Sequence, residues 1–251
     1  MTAYILPIDK PDAIYTIHIR RFNPETDNEP YWASYSVPHT ETMTVVEALE
    51  YLWDQGEYIA FRTNCREFTC GSCAMLINGK PRLACDTILK DGMRLEPLSR
   101  YPVLRDLVVY NNEIKNKLKN LKYWPITGDR NREYTVSKKV LVDYSKIYSR
   151  CIECSCCLEA CPASFNEASK YAGPMYMLLL GRVSQHPVDS IDRVKQASEN
   201  GMGACVSCFE CADACPMNLN PAKEVTKLRR KAVIDGLFKP FRKKADRYGK
   251  T

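Results

Sequence analysis

The chain has 251 residues, 45% of them hydrophobic, with a formal net charge of +6 and 13 cysteines. That length suffices for two modest domains with separate cores, and the odd cysteine count speaks against a closed disulfide framework. The longest apolar run, Met175 to Leu180, is far short of the roughly 20 residues of a membrane span.

Met1 to Lys10 lacks a basic start followed by a long apolar run, so no secretory leader is expected. A reducing compartment follows, where clustered cysteines mean metal or redox work. Residues Ile14 to Phe22 and Tyr31 to Val37 read as two strands, the second placing Tyr31, Ala33, Tyr35 and Val37 opposite Trp32, Ser34 and Ser36. Asn23-Pro24 and Asp27-Asn28 supply the turn between them. Thr44 and Glu47 form a capping box ahead of Ala48, Leu49, Leu52 and Trp53 at helical spacing. Strand, strand, helix opens a β-grasp ferredoxin fold.

Cys65, Cys70, Cys73 and Cys85 follow, in the plant-type C-x4-C-x2-C…C pattern of a [2Fe–2S] site. Gly71 lets the loop turn tightly, so that amides can face the sulfurs. Ala74 to Ala84 reads as a hairpin whose Asn78-Gly79 tip favours a type I′ turn and returns Cys85 to the loop. A zinc knuckle suits the long gap between Cys73 and Cys85 poorly. Residues 1–110 are assigned to this domain, closed by Tyr101 to Tyr110. A lysine-bearing helical connector from Asn111 to Trp124 begins the second domain, 111–251, with Pro125 and Gly128 as its stop.

The second domain is expected to be all-α and bacterial-ferredoxin-like. Asp143 to Arg150 leads into Cys151, Cys154, Cys157 and Cys161-Pro162, spaced C-x2-C-x2-C-x3-C-P. Cys205, Cys208, Cys211 and Cys215-Pro216 repeat that spacing. In such runs the fourth cysteine ligates the other cluster. Crossing them gives one cubane on Cys151, Cys154, Cys157 and Cys215, and a second on Cys161, Cys205, Cys208 and Cys211. Cys156 is left over: slipping it into the frame as C-x-C loses the regular spacing, so a buried or semi-buried free thiol is expected. Between the runs, Tyr171 to Val183 is an apolar segment interrupted by Pro174, and Asp189 or Ser190 caps a helix turning Ile191, Val194 and Ala197 inward. Asn218 to Pro221 opens a final basic helix, read as a solvated face with contact to anionic lipid or an acidic partner as the sharper alternative. His18, His39 and His186 lie apart from the cysteine runs, against a Rieske arrangement. Lysines and arginines are not gathered around the cysteines as a nucleic-acid-binding module requires. No nucleotide loop or catalytic triad stands out.

These motifs together resemble the iron–sulfur subunit of succinate dehydrogenase and fumarate reductase. The resemblance rests on Cys65-Arg66, Cys70-Gly71-Ser72-Cys73, Asn78-Gly79, Ala84-Cys85, Pro102 to Val109 with Arg105-Asp106 at its centre, and the run from Cys151 to Pro162. Cys156 matches a non-ligand cysteine of that family. The resemblance implies a non-catalytic electron-transfer subunit of an oxidoreductase complex, peripheral on the membrane with the cytoplasmic face favoured. It would relay electrons between the FAD of a flavoprotein subunit, facing the [2Fe–2S] domain, and a membrane anchor that handles quinone, facing the helical domain. The alternative is a relay subunit of another flavin-dependent oxidoreductase.

The chain departs from the family where the third cluster is bound. Most members hold [3Fe–4S] with cysteines equivalent to Cys161, Cys205 and Cys211 and place an apolar residue at position 208. A thiol there favours a second [4Fe–4S] cluster over [3Fe–4S], at a lowered potential. The tryptophan and histidine that many members place in the quinone pocket are replaced by Ala163 to Asn166 and by Val206. The extra cysteine resembles members whose anchor carries its own cysteine-rich cluster domains.

Overall fold

The computed structural model describes residues 11–127, 138, 150–165 and 170–248. Met1 to Lys10, where no leader is expected, the Gly128 stop signal and most of the lead-in before Arg150 lie outside the described residues. Two compact units emerge, each assembled from separate stretches of chain. One comprises Met1–Asn116, Cys151–Ala160 and Ala214–Asn218; the other comprises Lys117–Arg150, Cys161–Asp213 and Leu219–Thr251.

In the first unit, β1 (Ala13–Arg21) and β2 (Tyr31–His39) pair antiparallel along their whole length, from Ala13 opposite His39 to Arg21 opposite Tyr31. Ile17 and Ile19 of β1 and Val37 of β2 are buried, while Ser34 and Ser36 face out. Tyr31 is exposed, because the alternation reaches the core only towards the end of β2. His18 is a satisfied strand histidine, its Nδ1 2.9 Å from Ser34 Oγ. Thr44 caps α1 (Val45–Asp54) with both halves of the capping box formed, a device whose loss costs about 1 kcal/mol. Ala48, Leu49 and Leu52 of α1 are buried, but Trp53 turns outward against Tyr58 and Phe61.

β3 (Ala74–Ile77) and β4 (Lys80–Leu83) form the hairpin, and Asn78 (φ 52°) with Gly79 (φ 71°) makes the left-handed pair of a type I′ turn. With β5 (Arg94–Glu96), which lies parallel to β1 and antiparallel to β3, the sheet order is β2-β1-β5-β3-β4. A second small ribbon pairs β6 (Val103–Arg105) with β7 (Val108–Val109) around Asp106. α2 (Asn112–Leu121) follows, shorter than the connector expected, with Ile114, Leu118 and Leu121 buried along one stripe. The short helix α3 (Cys156–Glu159) lies wholly in the first unit, whereas α2 passes into the second after Asn116. Cys156 is fully buried in the same apolar core as Ile17, Leu49 and Met75, a core that Cys73 and Cys85 also enter.

Among the described residues the second unit is built of helices and single turns. α4 (Pro174–Val183) is buried on nearly all sides. Pro174 does not interrupt this apolar segment; it opens the helix, where a missing N–H costs nothing. α5 (Arg193–Glu199) is capped by Asp192, which accepts from Lys195 N, and not by Asp189 or Ser190. Asp189 is drawn off to Arg193, so the helix starts later; Val194 and Ala197 are buried while Ile191 stays partly exposed. α6 (Glu210–Asp213) and the long α7 (Pro221–Tyr248) complete the unit.

Candidate iron–sulfur centres

The loop from Cys65 to Cys73 is folded around sulfur. Arg66, Phe68 and Gly71 all take positive φ, a curl that turns successive N–H groups to one side and makes an anion-binding nest. The amides of Glu67, Thr69 and Cys70 point at Cys65 Sγ at 3.4, 3.3 and 3.3 Å, and the amide of Phe68 points at Cys85 Sγ at 3.3 Å. The Thr69 hydroxyl, the amides of Glu67 and Thr69 and the Cys70 side chain pull the Cys65 thiol down to about 6. Burial pushes Cys73 up to about 12. The Cys73 and Cys85 sulfurs stand 3.3 Å apart; two thiolates on one tetrahedral metal stand about 3.8 Å apart for metal–sulfur bonds near 2.3 Å. A hairpin that returns Cys85 beside Cys73, and amides aimed at thiolates, fit a [2Fe–2S] group. Bound iron would displace the protons that burial otherwise keeps on the inner thiols. Outside the nest, Arg66 pairs with buried Glu50 of α1 at 2.8 Å.

The two cubane-type runs share one backbone. Two and four residues after Cys151, Glu153 (φ 54°) and Ser155 (φ 71°) are left-handed; two and four residues after Cys205, Ser207 (φ 57°) and Phe209 (φ 68°) are as well. Each run then enters a four-residue helix in the same register, α3 from Cys156 and α6 from Glu210. Non-glycine residues are uncommon at positive φ, so four at matched positions mark a conformation imposed by a shared purpose. The repeat that the cysteine spacing announces is therefore a repeat of conformation.

The two units divide the cubane-type cysteines between them. Cys151, Cys154, Cys157 and Cys215 all lie in the first unit, and Cys161, Cys205, Cys208 and Cys211 all lie in the second. Burial raises Cys151 to about 11, with charge on Cys154 and Cys215 adding to it. Burial raises Cys211 to about 12, with Cys161, Cys205 and Cys208 adding. Cys154 is lowered, first by a hydrogen bond from the Cys156 side chain. Cys208 is the exposed member of its group, between exposed Val206 and Phe209.

Sequence reasoning missed the residues that hold these runs from outside. Glu159 of α3 accepts from Ser99 N and Oγ at 3.0 and 2.5 Å. In the second unit, Arg229 Nη2 donates to the carbonyls of Met202, Gly203 and Cys205 at 2.9, 2.9 and 2.6 Å. Tyr171 is buried beside Cys205, and burial raises its hydroxyl far above the usual range. Only the basic character of the last helix hinted at any of these.

Residues 16–116 match the family described as a 2Fe-2S iron-sulfur cluster binding domain, and residues 147–219 the one described as a 4Fe-4S dicluster domain. The chain is 33% identical over 218 residues to the fumarate reductase iron-sulfur subunit of Escherichia coli, covering 83% of this chain and 89% of that one. It is 34% identical over 222 residues to a fumarate reductase (CoM/CoB) subunit of Methanothermobacter marburgensis, covering 88% of this chain but 45% of that protein. The chain thus spans less than half the length of this second relative. A chain of the solved Mycobacterium smegmatis Sdh1 complex in the apo form superposes with a TM-score of 0.78 at 25% identity, covering 87% of this chain and 95% of that one. An α+β subunit with a sheet-bearing 2Fe-2S part and a helical 4Fe-4S part, similar to the Escherichia coli protein over nearly its whole length, belongs to the family of fumarate reductase and succinate dehydrogenase iron–sulfur subunits.

Proposed function

We propose that this chain relays single electrons within a succinate dehydrogenase or fumarate reductase complex, between the FAD of a flavoprotein subunit and a quinone-reactive membrane anchor. The observation that carries the reading is the repeated backbone of the two cubane-type runs, with Cys151, Cys154, Cys157 and Cys215 in one unit and Cys161, Cys205, Cys208 and Cys211 in the other. Cys65, Cys70, Cys73 and Cys85 hold [2Fe–2S] on a β-grasp ferredoxin scaffold. Cys151, Cys154, Cys157 and Cys215 hold [4Fe–4S]. Cys161, Cys205, Cys208 and Cys211 hold the third cluster, a second [4Fe–4S], in a bacterial-ferredoxin-like setting. Among the described residues no helix is long and apolar enough to cross a membrane; attachment is peripheral, at the cytoplasmic face, through an anchor with cysteine-rich cluster domains.

The relative named for CoM and CoB favours a second reading, in which the distal partner exchanges electrons with a thiol pair in place of a quinone. Anaerobic isolation of the native complex tests both. The expected sample contains about ten irons per chain, two, four and four, with covalent flavin on a partner and succinate-dependent bleaching. A zinc-bearing, colourless protein would end the proposal, and reduction by a dithiol but not by quinol would select the second reading.

A further inference from the structure

Gly71 has two neighbours that its own loop does not explain. A Cβ built there would stand 2.7 Å from the carbonyl oxygen of Ile152, 2.9 Å from Cys154 Cβ and 3.0 Å from Cys154 Cα. Such distances are well inside van der Waals contact, and two of the three atoms are backbone that cannot swing away. The loop that carries Cys70 and Cys73 is therefore pressed directly on the run that carries Cys151 and Cys154. From this contact, where Gly71 and Cys154 form one wall, the two loops part around a cavity of about 360 Å³ that Ser72, Cys73, Glu153 and Ser155 also line. On that side space separates them, whereas at Gly71 the two nests meet atom against atom.

Positive φ alone does not require this arrangement. Gly56, Gly79 and Gly92 are also left-handed (φ 87°, 71° and 71°), and a Cβ at any of them meets nothing within 4 Å. Gly201 (φ 75°) is also crowded, but by Lys170 and Tyr171, whereas the neighbours of Gly71 belong to a cysteine run. We propose that Gly71 is a positioning residue that sets the spacing between the [2Fe–2S] and first [4Fe–4S] centres and provides a direct through-protein route between them, via the Cys154 side chain. This deepens the relay reading and rests on it. With the clusters bound, one electron supplied by the reduced flavin of the partner would pass from the group held by Cys70 and Cys73 to the oxidised group held by Cys154. No bond forms or breaks and no proton moves. An added methyl must push the loops apart by a few tenths of an ångström or more, and transfer that depends on close contact slows.

The test compares Gly71→Ala with Gly92→Ala in the native complex. Both variants place alanine at a left-handed position, and only the first intrudes on Ile152 and Cys154. The readouts are iron content, the magnetic interaction between the two reduced centres by electron paramagnetic resonance, and the rate at which the second centre is reduced through the first. Gly71→Ala is expected to keep its iron, weaken the interaction and slow the transfer several-fold, while Gly92→Ala matches the native protein. Full iron with unchanged interaction and rate in Gly71→Ala overturns the proposal, as does an equal loss in Gly92→Ala. Where Gly71→Ala fails to load its [4Fe–4S] centre, the native complex decides: a strong magnetic interaction upholds close contact and none overturns it. Absence of iron from the native chain would instead sink the relay reading itself.

Discussion

Arg193 grips Asp189 with two nitrogens, Nε at 2.7 Å and Nη2 at 2.8 Å, and both side chains are almost wholly removed from solvent. Its remaining N–H groups reach the carbonyls of Leu121, Lys122 and Trp124 and the side chain of Gln196. One guanidinium thus closes the end of α2 and ties it to the start of α5, while Asp189 also accepts from Ile126 N. Removing one partner of such a pair leaves an unpaired buried charge, at a cost of about 3–5 kcal/mol. Arg193→Met is expected to lower the melting temperature on the order of 10 °C. Asp189→Leu combined with Arg193→Met should cost less than the two single changes added together, which a double-mutant cycle by thermal scanning checks.

Features set by neighbours in sequence are legible before the fold. Thr44 and Glu47 lie three apart and close their capping box within one turn. Asn78-Gly79 dictates its own turn, and the cysteine spacings carry the loop geometry with them. Features that depend on distant partners are not legible. Asp189 looks like a helix cap because its claim on Arg193 needs the carbonyls of residues 121–124 to be in place. Pro174 looks like a break because only the path of Gly173 shows that the helix has yet to start. Gly71 reads as a turn glycine, and the pressure of Ile152 and Cys154 on it comes from about eighty residues away.

Asp106 joins three parts of the first unit. Its carboxylate accepts from Arg21 Nε at 2.8 Å, Phe22 N at 3.0 Å and Ala60 N at 2.8 Å, so it pins the strand end and the approach to the cysteine loop onto the β6–β7 turn. The residue is left-handed (φ 44°), a conformation that asparagine tolerates better than most. Asp106→Ala is expected to lose the ion pair and leave two amides unsatisfied, about 3 kcal/mol or more. Asp106→Asn keeps the backbone conformation and loses less. Denaturant midpoints followed by near-ultraviolet dichroism rank the two, and equal midpoints would contradict this account.

Stripped of iron, the chain should label unevenly. The Thr69 hydroxyl, the amides of Glu67 and Thr69 and the Cys70 side chain lower Cys65 to about 6, whereas burial raises Cys73 to about 12, Cys151 to about 11 and Cys211 to about 12. A thiol alkylates as the thiolate. At pH 7 Cys65 is therefore largely charged and the other three are largely neutral. Iodoacetamide should modify Cys65 first, with a rate that climbs through pH 6 and levels off above it, as peptide mass spectrometry of timed samples can follow. Labelling that starts at Cys73, or a Cys65 rate still climbing at pH 9, would contradict the nest described for this loop.

Position 208 decides the nature of the third centre. Cys208 lies in the run whose backbone matches the first, at the register of Cys154, and it shares a unit with Cys161, Cys205 and Cys211. With four thiolates the site retains four irons; with three it holds one fewer, and the net negative charge on the ligands falls. Cys208→Val is expected to convert the centre to [3Fe–4S], visible as a new resonance in the oxidised protein, and to raise its midpoint potential, since lost thiolate charge favours reduction. Cys156→Ala, by contrast, removes a fully buried thiol of the apolar core and should leave all three centres assembled. A dominant [3Fe–4S] resonance in the intact native protein would show that Cys208 is no ligand, and its exposed thiol would then be open to alkylation in the loaded form.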